Sequence, residues 1–307
     1  MTATRVIVVA KSSSYARFVE DEQDPRAQAL LERRDESVAN WVAGHAAHSR
    51  TLERVQTALS RLGAHAVVIR RPHAEFDATD ADLVLAVGGD GTLLAASHSV
   101  GSVPLLGVNS DPERSVGFYC AGRGEKLEGT LERALAGSLP ATWLTRMKVT
   151  LNGRVRSRRV LNEALYSHCS PAATSRYILR YGSLSEEQHS SGVWIGPAAG
   201  STAAQYSAGG KILPLRSERL QLVVREPFLW RGTKIRCRRL LVGSGKSVSL
   251  KSKMQDAALF LDGPYRRISV SLGDVAQFSA SNEPLCVLGL AHDARERRQR
   301  AQRVRRS

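Results

Sequence analysis

The sequence predicts a doubly wound α/β unit followed by a mostly β unit, that is, an α/β + β fold class. Over the first 143 residues, short apolar strands alternate with helical segments, as they do in a parallel sheet with helices on both faces. One of these strands runs into a glycine-rich turn and a helix start at residues 88–92. After Trp143 the pattern changes to closely spaced β segments, and Asn152-Gly153 is typical of a hairpin turn.

Four strands and three helical stretches are predicted in the first unit, residues 1–143. The strands lie at 5–10, 65–69, 82–87 and 104–109, and the helical stretches at 25–62, 93–98 and 127–139. A Rossmann-like sheet of this kind binds ligands outside the carboxyl ends of its strands, where Asp90 and Asn109 fall. Lys11 follows the first strand and could reach a phosphate from its loop, but we favour a solvated side chain.

The second unit, residues 144–283, is predicted to be rich in β-strands. They are expected at 144–151, 155–168, 175–181, 192–195, 221–225, 234–241, 248–250, 258–261, 268–272 and 276–280. An apolar run at 284–290 is expected to return to the first unit. Residues 291–307 are interpreted as a basic tail that is disordered or forms a frayed helix.

The composition favours anionic partners. The 307 residues include 44 Lys and Arg against 29 Asp and Glu, which points to nucleic acid or to small phosphorylated ligands. Nucleic acid is the less favoured of the two, because Arg236 and Arg238 alternate with Cys237 and so indicate one solvated strand face. The four cysteines have no metal-binding spacing, which predicts reduced thiols in a cytoplasmic protein. No apolar run is long enough to span a membrane.

The run Gly88-Gly89-Asp90-Gly91-Thr92 is typical of a phosphate-binding turn. Its glycines let the main chain turn tightly and come close to a ligand, and a helix N-terminus favours negative charge. A carboxylate repels phosphate, so Asp90 indicates chemistry, either as a base for an incoming hydroxyl or as a contact to a metal carried by the nucleotide. The alternative is a turn in which Asp90 only caps the next helix.

Three further stretches combine small and polar residues in apolar surroundings. Asn162-Glu163 places an amide beside a carboxylate within a strand pattern. The small-residue run at 200–210, which begins Gly-Ser-Thr-Ala and ends Ser-Ala-Gly-Gly, lets a ligand approach the backbone. Gly107-Val108-Asn109, with Gly117-Phe118-Tyr119 beyond it, adds an amide and an aromatic surface.

In this order the motifs resemble the NAD kinase family over roughly residues 5–290. The glycine-rich motif alone also occurs in phosphofructokinases and in diacylglycerol-type lipid kinases, whereas the ordered set is specific. The segments at 198–204 and 224–227 resemble most the plant-type branch, which phosphorylates NADH.

The resemblance implies transfer of the γ-phosphoryl group of ATP to the adenosine-ribose 2′-hydroxyl of NAD⁺ or NADH, with Asp90 as the base. Mg²⁺ or another divalent cation would arrive with ATP, without a dedicated protein metal site. The implied nucleotide and phosphate contacts are Gly88, Gly89, Gly91, Thr92 and Asn109. The implied NAD(H) contacts of the second part of the site are Phe118, Asn162, Glu163, Ser201, Thr202, Ala203 and Ser207. Family members are homo-oligomers, so a dimer or tetramer is expected.

The sequence departs from the family at one place, and two other functions stay open. Many members have Arg-x-Asp-Gly where this chain has His189-Ser190-Ser191-Gly192, and the absent Asp usually contacts the nicotinamide end. Its loss predicts relaxed discrimination between the oxidised and reduced dinucleotide. A diacylglycerol- or sphingosine-type lipid kinase shares the glycine motif but should lack Asn162-Glu163 and the Gly-Ser-Thr-Ala run. A noncatalytic nucleotide-binding protein would keep the pocket without using Asp90.

Overall fold

Strands dominate the structure, a computed structural model that describes residues 4–70, 73–228 and 235–290. The first ten elements are β1 (Arg5–Ala10), α1 (Pro25–Glu32), α2 (Trp41–Arg61), β2 (His65–Ile69), β3 (Leu83–Gly88), α3 (Asp90–Ser97), β4 (Leu105–Asn109), β5 (Cys120–Gly122), α4 (Leu127–Leu135) and β6 (Ala141–Leu144). They are followed by β7 (Met147–Leu151), β8 (Arg154–Val160), β9 (Ala164–His168), β10 (Ser175–Tyr181), β11 (Leu184–Ser190), β12 (Gly192–Pro197), α5 (Ala204–Ser207), β13 (Leu220–Arg225), β14 (Arg239–Val242), β15 (Ser247–Ser252), β16 (Ala257–Leu261), β17 (Arg266–Val270), β18 (Val275–Ala280) and β19 (Leu285–Leu288).

The chain divides into two compact units. The described residues of the first unit run to Thr142 and resume at Cys286, and those of the second run from Trp143 to Leu285. The predicted basic tail at 291–307 lies outside the described residues, as does the first residue of the strand predicted at 234–241. No helix in the described ranges has the length and hydropathy that a membrane span requires.

The first unit is built on a seven-stranded sheet in the order β2-β1-β3-β4-β19-β6, with β5 paired to β4. Strand β1 pairs in parallel with β2 on one side and β3 on the other, and β3 pairs in parallel with β4. Every residue of β3 and β4 is buried, because the sheet is covered on both faces. The chain order reverses at β1, so the crevice outside the carboxyl ends of β1 and β3 is where a ligand is expected.

The second unit consists of two antiparallel six-stranded sheets, β11-β10-β15-β18-β7-β8 and β14-β13-β12-β9-β16-β17. Apolar side chains of both sheets form one cluster, in which Tyr166, Tyr177 and Phe278 are fully buried. Asn152 and Gly153 have φ angles of +51° and +77° and join β7 to β8, which confirms the predicted hairpin turn. The two kinds of sheet confirm the predicted fold class.

The helical stretch predicted at 25–62 is wrong at its centre. Helix α1 ends because Arg34 adopts a left-handed conformation with φ of +55°. The Asp35 carboxylate then accepts a hydrogen bond from the Ser37 N–H at 3.1 Å, which starts a separate single turn before α2. Helical composition alone did not reveal this break.

Because both sheets of the second unit share one core, Phe278→Ala should strongly destabilise the protein. Phe278 is fully buried, so the variant should lose about 3–5 kcal/mol of unfolding free energy in urea denaturation. Leu272→Ala is the control, because Leu272 is 56% exposed and its truncation should change stability by no more than about 0.5 kcal/mol. Equal losses for the two variants would contradict this assignment of the core.

Candidate active site

The glycine-rich run joins β3 directly to α3, and Asp90 is the first helical residue. Gly89 is extended (φ −115°, ψ −165°), and its carbonyl accepts hydrogen bonds from the N–H groups of Thr92 at 3.1 Å and Leu93 at 3.3 Å. The helix therefore begins three residues before the predicted Leu93. Gly89 is the N-cap residue, so Asp90 is not the cap of this helix.

Two backbone donors hold the carboxylate of Asp90. Its Oδ2 accepts a hydrogen bond from the Phe118 N–H at 2.9 Å, and its Oδ1 accepts one from the Tyr119 N–H at 2.8 Å. These two contacts fix the orientation of the carboxylate. Phe118 is predicted to contact the dinucleotide. The residue is only 8% exposed and its ring packs edge-on against Tyr119, so little of the ring is accessible to a ligand.

The three glycines of the turn are required for different reasons. A Cβ on Gly88 would collide with Oγ1 of Thr92, and a Cβ on Gly89 would stand 2.7 Å from Oγ of Ser115. Packing within the protein therefore excludes a side chain at Gly88, whereas at Gly89 the Ser115 hydroxyl would have to rotate away. A Cβ on Gly91 would meet no atom within 4 Å, and this residue is exposed. Open space beside the backbone at Gly91 is what a ligand needs to approach it.

Asn109, predicted as a phosphate contact, uses its side chain within the protein. It is 2% exposed, its Nδ2 donates to the carbonyl of Ser115 at 2.9 Å, and its Oδ1 accepts from the N–H of Asp111 at 3.1 Å. Gly117 has φ of +55°, and a Cβ there would collide with the Asn109 amide. Asn109 therefore shapes the loop that leads to Phe118, whose N–H donates to Asp90.

A cavity of about 460 Å³ opens in the first unit at this turn. It is lined by Lys11, Ser12, His73, Gly88, Gly89, Asp90, Gly91, Thr92, Asn109, Ser110, Asp111, Ser115 and Val116. Apart from His73, which follows β2, these residues lie at or just beyond the carboxyl ends of β1, β3 and β4, where the topology predicts ligand binding. The described residues contain no group of three or more His, Cys, Asp or Glu side chains that could hold a metal ion.

In the second unit, Asp262 holds the segment that contains Asn162 and Glu163. Its carboxylate accepts hydrogen bonds from the N–H groups of Leu161 at 2.8 Å, Asn162 at 2.7 Å and Glu163 at 3.1 Å. Those N–H groups are not available to a strand ladder, so the strand predicted over 155–168 is wrong at this point. Strands β8 and β9 lie on either side of the break, in different sheets.

Asp262 was missed by the sequence reasoning. It lies in the turn between β16 and β17 with φ of +50°, and its own N–H donates to the carbonyl of Glu163 at 2.9 Å. The available signal was the dipeptide Asp262-Gly263 after an apolar strand, which indicates a turn. That signal does not identify the segment that the carboxylate binds.

Glycines and buried amides hold the same peptide from the other side. A Cβ on Gly196 or Gly200 would collide with the carbonyl oxygen of Asn162. Nε2 of Gln205 donates to this oxygen at 3.2 Å, and Nε2 of Gln221 donates to Oε1 of Gln205 at 3.2 Å. Both glutamines are buried, and neither was predicted as part of the site. Asp262, the two glycines and Gln205 together therefore fix the backbone at Asn162.

The four residues predicted from the small-residue run occupy different environments. Ser201 is fully buried, its Oγ donates to the carbonyl of Ala198 at 2.7 Å, and it accepts from the N–H of Leu213 at 2.9 Å. Its hydroxyl thus supports the local fold. Thr202 and Ala203 are partly exposed and Ser207 is exposed, so these three can contact a ligand.

Glu163 carries a buried oxygen without a partner. Its Oε2 has no hydrogen-bond partner in the described part of the chain. Burial, and then the nearby charge of Asp262, raise the pKa of Glu163 to about 8. An unpaired buried carboxyl oxygen is costly in isolation, which makes this oxygen a candidate for a hydrogen bond to a ligand.

Comparison with known proteins decides the family. Residues 6–139 match the family described as ATP-NAD kinase N-terminal domain. The chain is 35% identical over 263 residues to the "Probable NADH kinase" of Oryza sativa subsp. japonica, covering 78% of this chain and 81% of that protein. The chain belongs to the NAD kinase family. The "NADH kinase" of Arabidopsis thaliana is 33% identical over 285 residues, covering 82% of this chain and 86% of that protein.

A solved NAD kinase shares the fold of this family member. The crystal structure of an NAD kinase from Archaeoglobus fulgidus in complex with ATP aligns with a TM-score of 0.68 at 18% identity, covering 97% of this chain and 99% of that one. Membership of the NAD kinase family confirms the predicted resemblance. It does not favour the lipid-kinase alternative.

The raised pKa of Glu163 predicts a pH dependence of stability. Between about pH 4.5 and 8 the folded protein keeps a proton that the unfolded chain has released, so the free energy of unfolding should fall as the pH rises. The slope contributed by this one group is at most about 1.4 kcal/mol per pH unit. Urea denaturation of the wild type and Glu163→Gln over this range measures it, since glutamine does not titrate.

The control for this experiment is Glu125→Gln, which replaces an exposed glutamate of the first unit. Its profile should run parallel to that of the wild type, whereas the Glu163→Gln profile should be flatter. If all three profiles are parallel, Glu163 does not hold the extra proton.

Proposed function

We propose that the protein is an NAD(H) kinase, which transfers the γ-phosphoryl group of ATP to the adenosine-ribose 2′-hydroxyl of NAD⁺ or NADH. The products are NADP⁺ or NADPH and ADP. The observation that carries this proposal is the Asp90 carboxylate, which two backbone N–H groups orient beside a glycine-lined cavity in a member of the NAD kinase family.

Asp90 is proposed to accept the proton of the attacking hydroxyl. The hydroxyl oxygen forms a bond to the γ-phosphorus, the bond from that phosphorus to ADP breaks, and the proton moves to a carboxylate oxygen of Asp90. The backbone at Gly91 offers the space for the phosphates. Mg²⁺ bound to ATP would supply neutralisation of the phosphate charge.

The second unit is proposed to bind the dinucleotide through Asn162, Glu163, Thr202, Ala203 and Ser207. The unpartnered Oε2 of Glu163 is suited to a hydrogen bond with a hydroxyl or amine of the ligand. Asn109 and Ser201 support the backbone instead, because their polar atoms bond within the protein.

We propose that both oxidation states of the nicotinamide are accepted. Two relatives are named NADH kinase, and Ser191 stands where many family members have an Asp that contacts the nicotinamide end. We also propose a homo-oligomer, a dimer or tetramer, on the family resemblance. A cytoplasmic location is proposed because all four cysteines are free thiols.

A coupled NADP(H)-formation assay tests the activity, with NAD⁺ and NADH as acceptors and with ATP, another nucleoside triphosphate and polyphosphate as donors. NADP(H) formed with ATP is the expected result, with kcat/KM values of similar size for the two acceptors. A strong preference for NAD⁺ would contradict the proposed role of Ser191. ATP binding without any NADP(H) formation would instead favour a noncatalytic nucleotide-binding protein.

Asp90→Asn tests the catalytic role, because asparagine keeps the size and one acceptor oxygen but cannot accept the proton. Turnover should fall by about 10²–10⁴-fold, the usual contribution of a general base, while both substrates still bind. Calorimetric titration with ATP and NADH provides the binding readout. Turnover close to that of the wild type would refute the role of Asp90.

Gly91→Ala and Gly88→Ala are a matched pair that separates ligand approach from packing. Gly91→Ala should leave the unfolding free energy unchanged or raise it by up to about 1 kcal/mol, because alanine favours helix. Its kcat/KM should nevertheless fall about tenfold or more, equivalent to roughly 1.4 kcal/mol of transition-state binding. Gly88→Ala should lose about 1–3 kcal/mol of stability through its clash with Thr92. Full activity of Gly91→Ala would exclude a phosphate at that position.

A further inference from the structure

We propose that Lys11 binds the polyphosphate chain of the nucleoside triphosphate, and that His45 and His48 of α2 hold the loop that presents it. This inference rests on the proposed function, because it takes ATP as the anion in the cavity. It replaces the interpretation of Lys11 as an ordinary solvated side chain.

The sheet places Lys11 beside the glycine-rich turn. Lys11 follows the last residue of β1, and its N–H donates to the carbonyl of Val87 in the neighbouring parallel strand β3 at 2.9 Å. The next residue of β3 is Gly88, and a Cβ on Gly88 would lie 3.0 Å from Cβ of Lys11. The lysine side chain therefore starts at the first glycine of the turn and lines the same cavity.

Lys11 brings a positive charge to a cavity that two carboxylates line. They are those of Asp90 and Asp111, and Asp111 pairs with Arg114 at 3.0 Å. Lys11 is the one lysine or arginine among the described residues that line the cavity. In the described part of the chain Lys11 forms no ion pair, so its ammonium group remains available to a ligand. Ammonium–phosphate contacts are charge-assisted hydrogen bonds, which are among the strong ones.

Two histidines, three residues apart on α2, fix the loop. His48 is 5% exposed, and its imidazole lies close enough to Lys11 to be affected by the lysine's positive charge. Nδ1 of His45 lies 2.8 Å from Oγ of Ser13, and this oxygen also accepts the N–H of Ala16 at 3.0 Å. The loop is thus attached to the helix at Ser13, two residues after Lys11, and His48 lies against the lysine itself. Such preorganisation lowers the cost of ordering the lysine when an anion binds.

His48 acts as a neutral support. Burial, and then the positive charge of Lys11, lower the pKa of His48 to about 4. The imidazole is therefore uncharged at neutral pH, and it adds no cation that would compete with Lys11 for the phosphate. Its function is to position the backbone of the lysine.

Lys11→Met tests the assignment, because methionine keeps an unbranched apolar stem without the charge. Titration calorimetry with ATP and with inorganic tripolyphosphate should show binding weakened by about 10- to 100-fold, the range expected for one charge-assisted hydrogen bond. Affinity for NADH should stay within about twofold, and Lys11→Arg should recover most of the tripolyphosphate affinity. Lys126→Met is the matched control, since it removes the same charge at an exposed residue that does not line the cavity.

The inference is overturned if Lys11→Met binds ATP and tripolyphosphate like the wild type. It is also overturned if Lys126→Met weakens them equally, which would show a general effect of net charge. A loss of ATP and NADH affinity in the same proportion would point to a damaged fold and would likewise contradict the assignment.

A double-mutant cycle tests the support by α2. His48→Leu should weaken ATP binding when Lys11 is present and have little effect in the Lys11→Met background. His45→Ala, which removes the contact to Ser13, should behave in the same way and serves if His48→Leu does not fold. If the losses in ATP affinity of the single variants simply add in the double variant, the histidines do not act through Lys11.

The two proposals fail separately. A wild-type protein that binds tripolyphosphate through Lys11 but forms no NADP(H) contradicts the kinase activity and leaves the phosphate contact in place. Formation of NADP(H) together with unchanged ATP affinity in Lys11→Met supports the kinase and overturns the role of Lys11.

Discussion

The two hydrogen bonds from the backbone of Phe118 and Tyr119 to Asp90 are the contacts on which the glycine-rich turn depends. They link residues 28 and 29 positions apart in the sequence, so the loop between them must be shaped accurately. Asn109 and Gly117 provide that shape, the first with its amide and the second with a left-handed backbone. The orientation of one carboxylate therefore depends on residues that need not touch any substrate.

In the second unit, backbone N–H groups also donate to an aspartate carboxylate, but with a different result. Asp262 also receives backbone N–H groups, three of them, but here the carboxylate organises a peptide. Its negative charge contributes to the raised pKa of Glu163, after burial. Backbone donors thus orient the carboxylate of Asp90, for which we propose a chemical role, whereas at Asp262 the carboxylate is the centre of a loop. Motif spacing does not distinguish these two uses.

Local patterns were enough to predict the fold class and the glycine-rich turn, because strand periodicity and glycine spacing act over a few residues. The contacts that the sequence did not reveal are distant in the chain: Asp262 lies 101 residues from Leu161, and Gln205 lies 43 residues from Asn162. A motif also cannot show which way a side chain faces. The sequence predicts Ser201 as a ligand contact, and the structure places its hydroxyl in the interior of the second unit, bonded to the backbone.

The close packing of Gly196 and Gly200 on the carbonyl of Asn162 limits how such a protein can change its substrate. Neither position can gain even a methyl group without moving the Asn162 peptide, so mutations there would alter the shape of the whole loop. Thr202, Ala203 and Ser207 lack this restriction, because they are at least partly exposed. In the proposed function, evolution or engineering of a new acceptor would therefore change those three side chains while the glycines stay unchanged.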